Sequence, residues 1–343
     1  MEKLSDDILV QILTRIPARS VTQLKLTNKK WCALISHPLF VRAYAEHLRT
    51  DMRAVRILKI DRFCLQGASN VGPPQSIVFE VFEGHSFDIE VTNLHDPISH
   101  FTPTKIQVAG SCDGLIFFIR HCGMYHVLSL WNPSTKEVRD LPDDLNGTYK
   151  FGLSQRVPFG LGIGFDRQMD DYKIVRAACS QNEHGVKETV VDVFTLKTNA
   201  WRRIHDNPRE KFREVPLPES NANTEFQGIG IIDGCLVIYT VYWKRSGLFE
   251  AWAMKEFGGR ASWAKLFSIS GDRLPTPTKR LQLISLRNGK ILLGLDRNEI
   301  VLYDIAEGSC QFLLDIGWSD FRYEFIVYVE SLISPYPIRG ISR

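Results

Sequence analysis

Four histidines, His95, His100, His121 and His126, lie near one another in the chain beside Cys122. Imidazole and thiolate are the ligands zinc prefers, so this stretch is where a metal site could be sought. The nine histidines nevertheless fall into neither His-x-x-x-His nor His-Glu-x-x-His spacing, and turn or strand-surface histidines are the simpler reading. Gly160-x-Gly162-x-Gly164 has the look of a nucleotide loop. A dinucleotide fingerprint must open a helix, however, and Phe165 to Asp171 reads as a strand followed by a turn. No Gly-x-Ser-x-Gly elbow occurs, and spacing nominates no Ser, His and Asp set. Carboxylates are plentiful, but nothing in the sequence pairs them for acid–base work. The Ser-x-Asp-x-Gly-x-x-Trp boxes of sialidase-type enzymes are absent as well. No catalytic residue, metal or cofactor is therefore nominated.

Chemistry of contact is better represented. Tyr242-Trp243-Lys244-Arg245 stands where a strand should give way to a loop. An aromatic beside basic residues is a common hot-spot composition, so these four are the candidate substrate contacts. Trp131, Trp201, Trp252 and Trp263 sit in strand-like text, where large aromatics are expected to fill a core. Lys29-Lys30 and Arg202-Arg203 read as solvated faces.

The 343 residues carry a net charge of +3, with Lys and Arg interspersed among Asp and Glu. A clustered basic face is what nucleic-acid binding requires, and none is expected here. The N-terminus lacks a secretory pattern, and no apolar run nears the roughly 18 residues of a membrane span. A soluble chain of the cytoplasm or nucleus is the expectation. Seven scattered cysteines with no Cys-x-x-Cys pair suit reduced thiols. Asn146-Gly147-Thr148 reads as an Asn-Gly turn.

Two kinds of text divide the chain. Residues 1–48 look helical, 49–60 read as a linker, and 61–343 form a β-rich domain. Ser5 can cap a first helix whose opening turn holds Asp6 and Asp7, where the helix dipole favours negative charge. Ile8, Leu9, Ile12, Leu13 and Ile16 then make one apolar stripe, ended by Pro17. Ser20 can start a second helix with Val21, Leu24 and Leu26. A third, near Lys29, carries Trp31, Leu34 and Ile35, and a fourth follows over Leu39 to Leu48. A bundle of roughly 45 residues cannot bury this surface by itself. The apolar face must meet either another protein or the chain's own β domain, and periodicity does not choose between them.

In the β-rich part, Cys112-Asp113-Gly114-Leu115, Asp233-Gly234-Cys235-Leu236 and Arg287-Asn288-Gly289-Lys290-Ile291 echo one another. So do the polar turns leading to aromatics near Trp131, Trp201, Trp252 and Tyr303. The repeat falls near the roughly 40–50 residues of a four-stranded propeller blade. Its irregularity leaves a β-sandwich as the alternative.

Leu4-Ser5-Asp6-Asp7-Ile8-Leu9, Ile12-Leu13, Ile16-Pro17, Leu24-Lys25 and Lys30-Trp31-Cys32-Ala33-Leu34-Ile35 closely resemble the F-box. Gly110-Ser111-Cys112-Asp113-Gly114-Leu115, Trp131-Asn132-Pro133-Ser134-Thr135, Gly162 to Asp166 with Asp171 to Val175, Met254 to Phe257 with Ser262 to Leu266, and Tyr328-Val329-Glu330-Ser331-Leu332 resemble the F-box-associated domain of a large plant family. The resemblance implies an α+β multidomain chain, a helical F-box followed by an all-β, kelch-like β-propeller. It implies a non-catalytic, substrate-recognition subunit of an SCF-type ubiquitin ligase. The SKP adaptor would dock on Leu4, Ile8, Leu9, Ile12, Leu13, Ile16, Pro17, Leu24, Leu26 and Trp31. A cullin scaffold and a protein target would be the other partners. The competing reading is a carbohydrate-binding or carbohydrate-processing propeller with a helical cap.

Two departures stand out. Thr22 and Thr27 replace larger aliphatics of the family, which would weaken docking by about 0.8 kcal/mol per methylene lost. After Trp201-Arg202-Arg203-Ile204 the text runs quickly into Glu210 to Pro218, where the family has further strands. A middle blade short of two strands, with open edges, is the expectation.

Overall fold

The computed structural model describes residues 6–50, 55–61, 74–81, 87–94, 105–122, 125–142, 159–181, 187–204, 217–218, 225–232, 235–242, 247–256, 262–275, 278, 281–287, 289–295, 299–315 and 323–337. Four helices open the chain: α1 (Asp6–Leu13), α2 (Ala18–Leu24), α3 (Lys29–Ser36) and α4 (Pro38–Thr50). The expected cap Ser5 lies outside the described residues. The second helix begins before Ser20, because Pro17 occupies the N-cap with φ −52° and ψ 140°. The Ser20 amide already donates to the Pro17 carbonyl at 2.9 Å. Asn28 caps α3, its side chain accepting the Trp31 amide at 2.9 Å. Pro38 opens α4 at the first helical position, where a missing N–H is harmless.

The inner faces of the helices make one small core of Leu13, Ala18, Val21, Ile35, Phe40, Tyr44 and Leu48, which Leu332 from the far end of the chain enters. The Tyr44 hydroxyl donates to the Ile16 carbonyl at 2.7 Å, pinning the fourth helix to the end of the first. The span read as linker holds the end of α4 and nearly all of strand β1 (Val55–Asp61). Ile57, Leu58 and Ile60 bury there, which is why those residues join a sheet.

The rest of the described chain forms five separate four-stranded antiparallel sheets, not the two facing sheets of a sandwich. Two compact units contain them, 1–210 with 323–343, and 211–322. In the first unit, blade 1 comprises β1, β2 (Gln75–Val81) and β3 (Phe87–Asn93), with the last described strand, β20 (Tyr323–Val329), inserted at its inner edge. Residues Val55 to Asp61 pair continuously with Val329 to Tyr323. Blade 2 contains β4 (Lys105–Cys112), β5 (Leu115–Cys122), β6 (Tyr125–Asn132) and β7 (Glu137–Asp140). Blade 3 contains β8 (Phe159–Asp166), β9 (Asp171–Gln181), β10 (Lys187–Thr195) and β11 (Ala200–Arg203). Along the inner edge, β20 lies against β4 and β4 against β8.

The run from Leu115 to Ile119 shows how sequence becomes packing. A strand between two blades buries both faces, so it reads as continuously apolar rather than alternating. Ile116 and Phe118 pack toward blade 1 with Leu58, Ile60, Ile106 and Tyr328. Leu115 and Phe117 pack toward blade 3 with Tyr172, Ile174, Phe194 and Leu196. Polar ladders cross the same blades in register, from Lys59 through Gln75 to Asn93 and from Arg176 through Asp192 to Arg203. A one-residue slip would strip these side chains of their partners, so the ladders reinforce the register the apolar pattern selects.

One turn recurs. After Asn132, Asp166, Thr195 and Asp304 the chain reverses, and the fifth residue of each (Lys136, Asp170, Asn199, Gly308) has a φ between 52° and 63°. Amides of Lys136, Asn199 and Gly308 each donate to the carbonyl four residues back at 2.9 Å. Side chains of Asn132, Asp166 and Asp304 accept the turn's own amides, holding the reversal before the next strand pairs.

The second unit holds blade 4, with β12 (Glu225–Ile232), β13 (Cys235–Tyr242), β14 (Leu248–Met254) and β15 (Trp263–Ile269), and blade 5, with β16 (Leu281–Arg287), β17 (Lys290–Leu295), β18 (Glu299–Asp304) and β19 (Ser309–Asp315). Their shared core includes Val237, Phe249, Ala251, Phe267, Ile291, Leu293 and Val301. Inner strands β4, β12 and β16 each carry a bulge, at Val108/Gly110, Phe226/Gly228 and Leu283/Ser285. At Gly228 a Cβ would come within 2.2 Å of the Tyr239 hydroxyl. Every one of the five sheets has four strands. The expected two-strand deficit after Trp201 is therefore corrected, since β11 closes blade 3 and β12 opens a new one.

Candidate functional site

The outer surface of the helical head is apolar where a small bundle has no further layer to cover it. Ile8 and Ile12, one turn apart on α1, are 44% and 46% exposed, and Leu26 after α2 is 87% exposed. Leu39 at the start of α4 is 71% exposed. Pro17 is exposed and Leu9 half-buried. Of the residues nominated for docking, Leu13 requires correction: it is 3% exposed and belongs to the head's own core. The stripe read on α1 is wide enough that one edge faces inward and the other outward. Ile16, Leu24 and Trp31 are half-buried and pack against that core. Leu4 lies outside the described residues. Thr22 and Thr27 turn their hydroxyls back to the carbonyls of Arg19 and Leu24, at 2.7 and 2.8 Å.

The remaining nominations scatter. Tyr242 is the last residue of β13, and Trp243, Lys244 and Arg245 lie outside the described residues. His121 and His126 are register partners on β5 and β6, their rings 4.5 Å apart and edge to face. His95 and His100 lie outside the described residues. No group of three potential metal ligands occurs among the described residues. The three glycines from Gly160 to Gly164 lie in β8, a strand rather than a helix-opening loop. Trp131 is fully buried, as a core aromatic should be. Trp201, Trp252 and Trp263 are only half-buried; Trp201 and Trp263 stand on the edge strands β11 and β15, while Trp252 lies on β14 between β13 and β15. Arg176 covers the Trp201 ring at 4.5 Å, and Lys265 covers Trp252 at 4.8 Å.

What sequence reasoning missed is the joint between head and blades. Past β20 the chain runs as a strap across blade 2. Asn132 donates through Nδ2 to the Ser331 carbonyl at 3.1 Å and the Ile333 carbonyl at 2.7 Å. The Ser331 amide donates to Ser134 Oγ at 3.3 Å, and Ser111 Oγ donates to the Val327 carbonyl at 2.5 Å. Gly114 has φ +85°, and a Cβ there would meet Ser331 Oγ at 2.2 Å. That explains the glycine twice over, by conformation and by close approach. Further along, Arg139 donates to the Pro335 carbonyl at 2.8 Å and also to Asn199, while its guanidinium lies 5.6 Å from the Tyr336 ring. Burial lowers the pKa of Arg139, as desolvation of a cation must.

The other side of the strap meets the helices. Glu330 is nearly buried and takes Arg19 of α2 at 3.4 Å and Arg56 of β1 at 3.8 Å. Leu332 sits in the head's core. Beside them Tyr328 is fully enclosed, and its hydroxyl donates to Ser76 Oγ at 2.8 Å. Burial, with a smaller push from Glu330, raises its pKa to about 12. The signal in the sequence was the segment Tyr328 to Leu332, recognisable as a pattern but not as a fastener.

Blades 2 and 3 are joined in the same manner. The Tyr172 hydroxyl donates to Asp113 at 2.9 Å. Buried Asp171 accepts the amides of Tyr172 and Lys197, and its desolvation raises its pKa.

Comparison with known proteins falls on this architecture. Residues 1–42 match the F-box domain, and residues 75–222 match the F-box associated beta propeller domain. The F-box protein CPR1 of Arabidopsis thaliana is 25% identical over an alignment covering 95% of this chain and 88% of the relative. An F-box/kelch-repeat protein of the same plant is 26% identical, covering 96% of this chain and 95% of the relative. The alignment to the first spans 397 positions, more than the 343 residues of the chain, so that relative has residues without a counterpart here. Among solved structures, the AtxE2 isopeptidase superposes with a TM-score of 0.35 at 10% identity, over 78% of this chain and 53% of that chain. That likeness is too loose to inform function. The chain carries an N-terminal F-box followed by an F-box-associated β-propeller domain, and its relatives are F-box proteins of Arabidopsis thaliana.

Proposed function

We propose that this protein is the substrate-recognition subunit of an SCF-type ubiquitin ligase of the cytoplasm or nucleus. The SKP adaptor docks on the outward head residues Ile8, Leu9, Ile12, Pro17 and Leu26, and the cullin scaffold is reached through it. The β domain holds a target protein, with Tyr242 to Arg245 as its candidate contact. The subunit makes no bond itself. It raises the effective concentration of a target lysine near a ubiquitin-charged enzyme that the rest of the complex supplies.

The observation that carries this reading is the pair Ile8 and Ile12, left exposed on α1 while the inner side of the same helix is filled by its own chain. Exposed aliphatics grouped on one face are what a protein interface desolvates. The test is capture of the SKP adaptor by the full chain carrying Ile8→Asp and Ile12→Asp. Both side chains point outward, so the thermal midpoint should hold while adaptor capture falls by roughly tenfold or more, as expected when interface-centre anchors are lost. Changing Ile16 and Pro17 is a poorer probe, because Ile16 also packs on the head's core. Undiminished capture by the double variant would reject docking on this face.

A further inference from the structure

The strap from Glu330 to Tyr336 touches three bodies at once, the helical head, blade 1 and blade 2, and most of its bonds use polar groups that are otherwise buried. We propose that it is a latch that holds the F-box head in one fixed orientation on blades 1 to 3. Glu330 and Leu332 are the parts of the latch that grip the head.

Three observations converge on this. Leu332 is 3% exposed and completes an apolar core whose other buried members all come from the helices. Glu330 is shared between an arginine of α2 and an arginine of β1, so a single carboxylate ties the head to the first blade. It is nearly buried, and a carboxylate in that position requires both partners. The strap itself cannot wander, because Asn132, Ser134 and Arg139 of blade 2 hold its backbone on the other side. A further ion pair, Arg42 with Asp170 at 3.6 Å, has both partners more or less half-exposed. A pair of that kind adds little by itself.

The order of the chain gives the latch a second property. It follows directly on β20, the strand that completes blade 1. The head is therefore locked only after the last strand has paired, and a chain ending before Glu330 would carry a competent F-box on a loose joint. For a ligase subunit, a fixed joint sets the direction in which a bound target is presented. That consequence rests on the function proposed above, whereas the latch does not.

The experiment measures the distance distribution between spin-label residues introduced by codon suppression at Glu46 of α4 and Val91 of β3 in the full-length chain. The unaltered latch should give one narrow distribution. Glu330→Gln with Leu332→Ala should broaden it by about twofold or more, the signature of a domain joint released to rigid-body motion. Arg19→Glu is the second variant, since it alters only the head's side of the joint and leaves every blade residue in place. It should broaden the distribution with unchanged circular dichroism. A distribution already broad before mutation, or one that stays narrow in both variants, would overturn the latch. Adaptor capture is read on the same samples and should persist in the variants. Failure of the unmutated chain to capture adaptor would count against the proposed function and leave the distance result standing.

Discussion

In blade 2 the residues Leu115, Ile116, Phe117 and Phe118 point alternately to two neighbouring blades and all four are buried, whereas on α1 Ile8 and Ile12 stay nearly half exposed while Leu13 is enclosed. Both stretches are dense in aliphatics, so composition does not separate them. Geometry does. A strand sandwiched between sheets offers two faces and both are covered, while a helix in a four-helix head has a core on one side only. The lesson is that apolar text signals burial only after the layers on each side have been counted. Where a layer is missing, the same text signals a partner.

The sharpest way to break this contrast is to cut a cavity on each side of it. Phe117→Ala should cost about 3–5 kcal/mol and Leu13→Ala about 2–5 kcal/mol, the range for large-to-small changes in packed cores. The two should differ in what they loosen. Hydrogen exchange, read separately over Asp6–Leu13 and Leu115–Cys122, should rise in the helix alone for Leu13→Ala and in the strand for Phe117→Ala. Exchange rising equally in both segments for either variant would mean that head and blades open as one unit, and the contrast would fail.

How much of this was legible in the sequence follows the same division. The helices were readable because Pro17 ends the first and the aliphatics keep helical spacing, whereas the caps at Pro17 and Asn28 emerged only with the structure. The direction each aliphatic faces was not, since Leu13 and Ile12 are adjacent in the chain and opposite in fate. Blade turns were readable through Asp113-Gly114 and Asn132 to Lys136, because positive φ and side-chain caps restrict which residues can stand there. The number of blades was not. A missing stretch after Trp201 looks the same in sequence whether it removes strands from one sheet or leaves whole sheets behind, and only pairing distinguishes them. The joint was illegible because its partners, Asn132 and Ser331 for example, are nearly two hundred positions apart.

A pH titration sharpens the comparison from the side of the joint. Tyr328 is buried beside the strap and its pKa is pushed up to about 12, against about 10 in an unfolded chain. The folded state thus favours the neutral phenol. Its contribution is fully present below pH 10 and is lost as pH climbs toward 12, because the unfolded chain gains by ionising first. The loss amounts to about 2–3 kcal/mol when complete. Denaturant unfolding across that window should show blade 1 weakening, and Tyr328→Phe should flatten this part of the curve. It should do so at a constant cost for the bond to Ser76, about 1 kcal/mol. Cys310, half-buried in blade 5 and raised to about 11 by desolvation, titrates in the same window, so the difference between the two chains, not the total slope, is the measurement. An identical slope in both would show that the Tyr328 environment does not couple to stability.

The smallest effect tests the repeated turn, which the head lacks and the blades reuse. Lys136 holds φ +63° at the end of the Asn132 turn, a conformation costing an L-residue roughly 1–2 kcal/mol. Gly308 fills the equivalent place in blade 5 without that strain. Glycine carries its own entropic cost of about 0.5–1 kcal/mol in the unfolded chain, so Lys136→Gly should stabilise by only about 0.5 kcal/mol. The same change at Asn199 should not help, although its φ is 54°, because its side chain receives a bond from Arg139 that steadies the strap. Equilibrium unfolding of the two variants in parallel separates them by sign. If Asn199→Gly were as favourable as Lys136→Gly, backbone strain alone would rule these turns, and the bond from Arg139 would have no measurable part in seating the C-terminal segment.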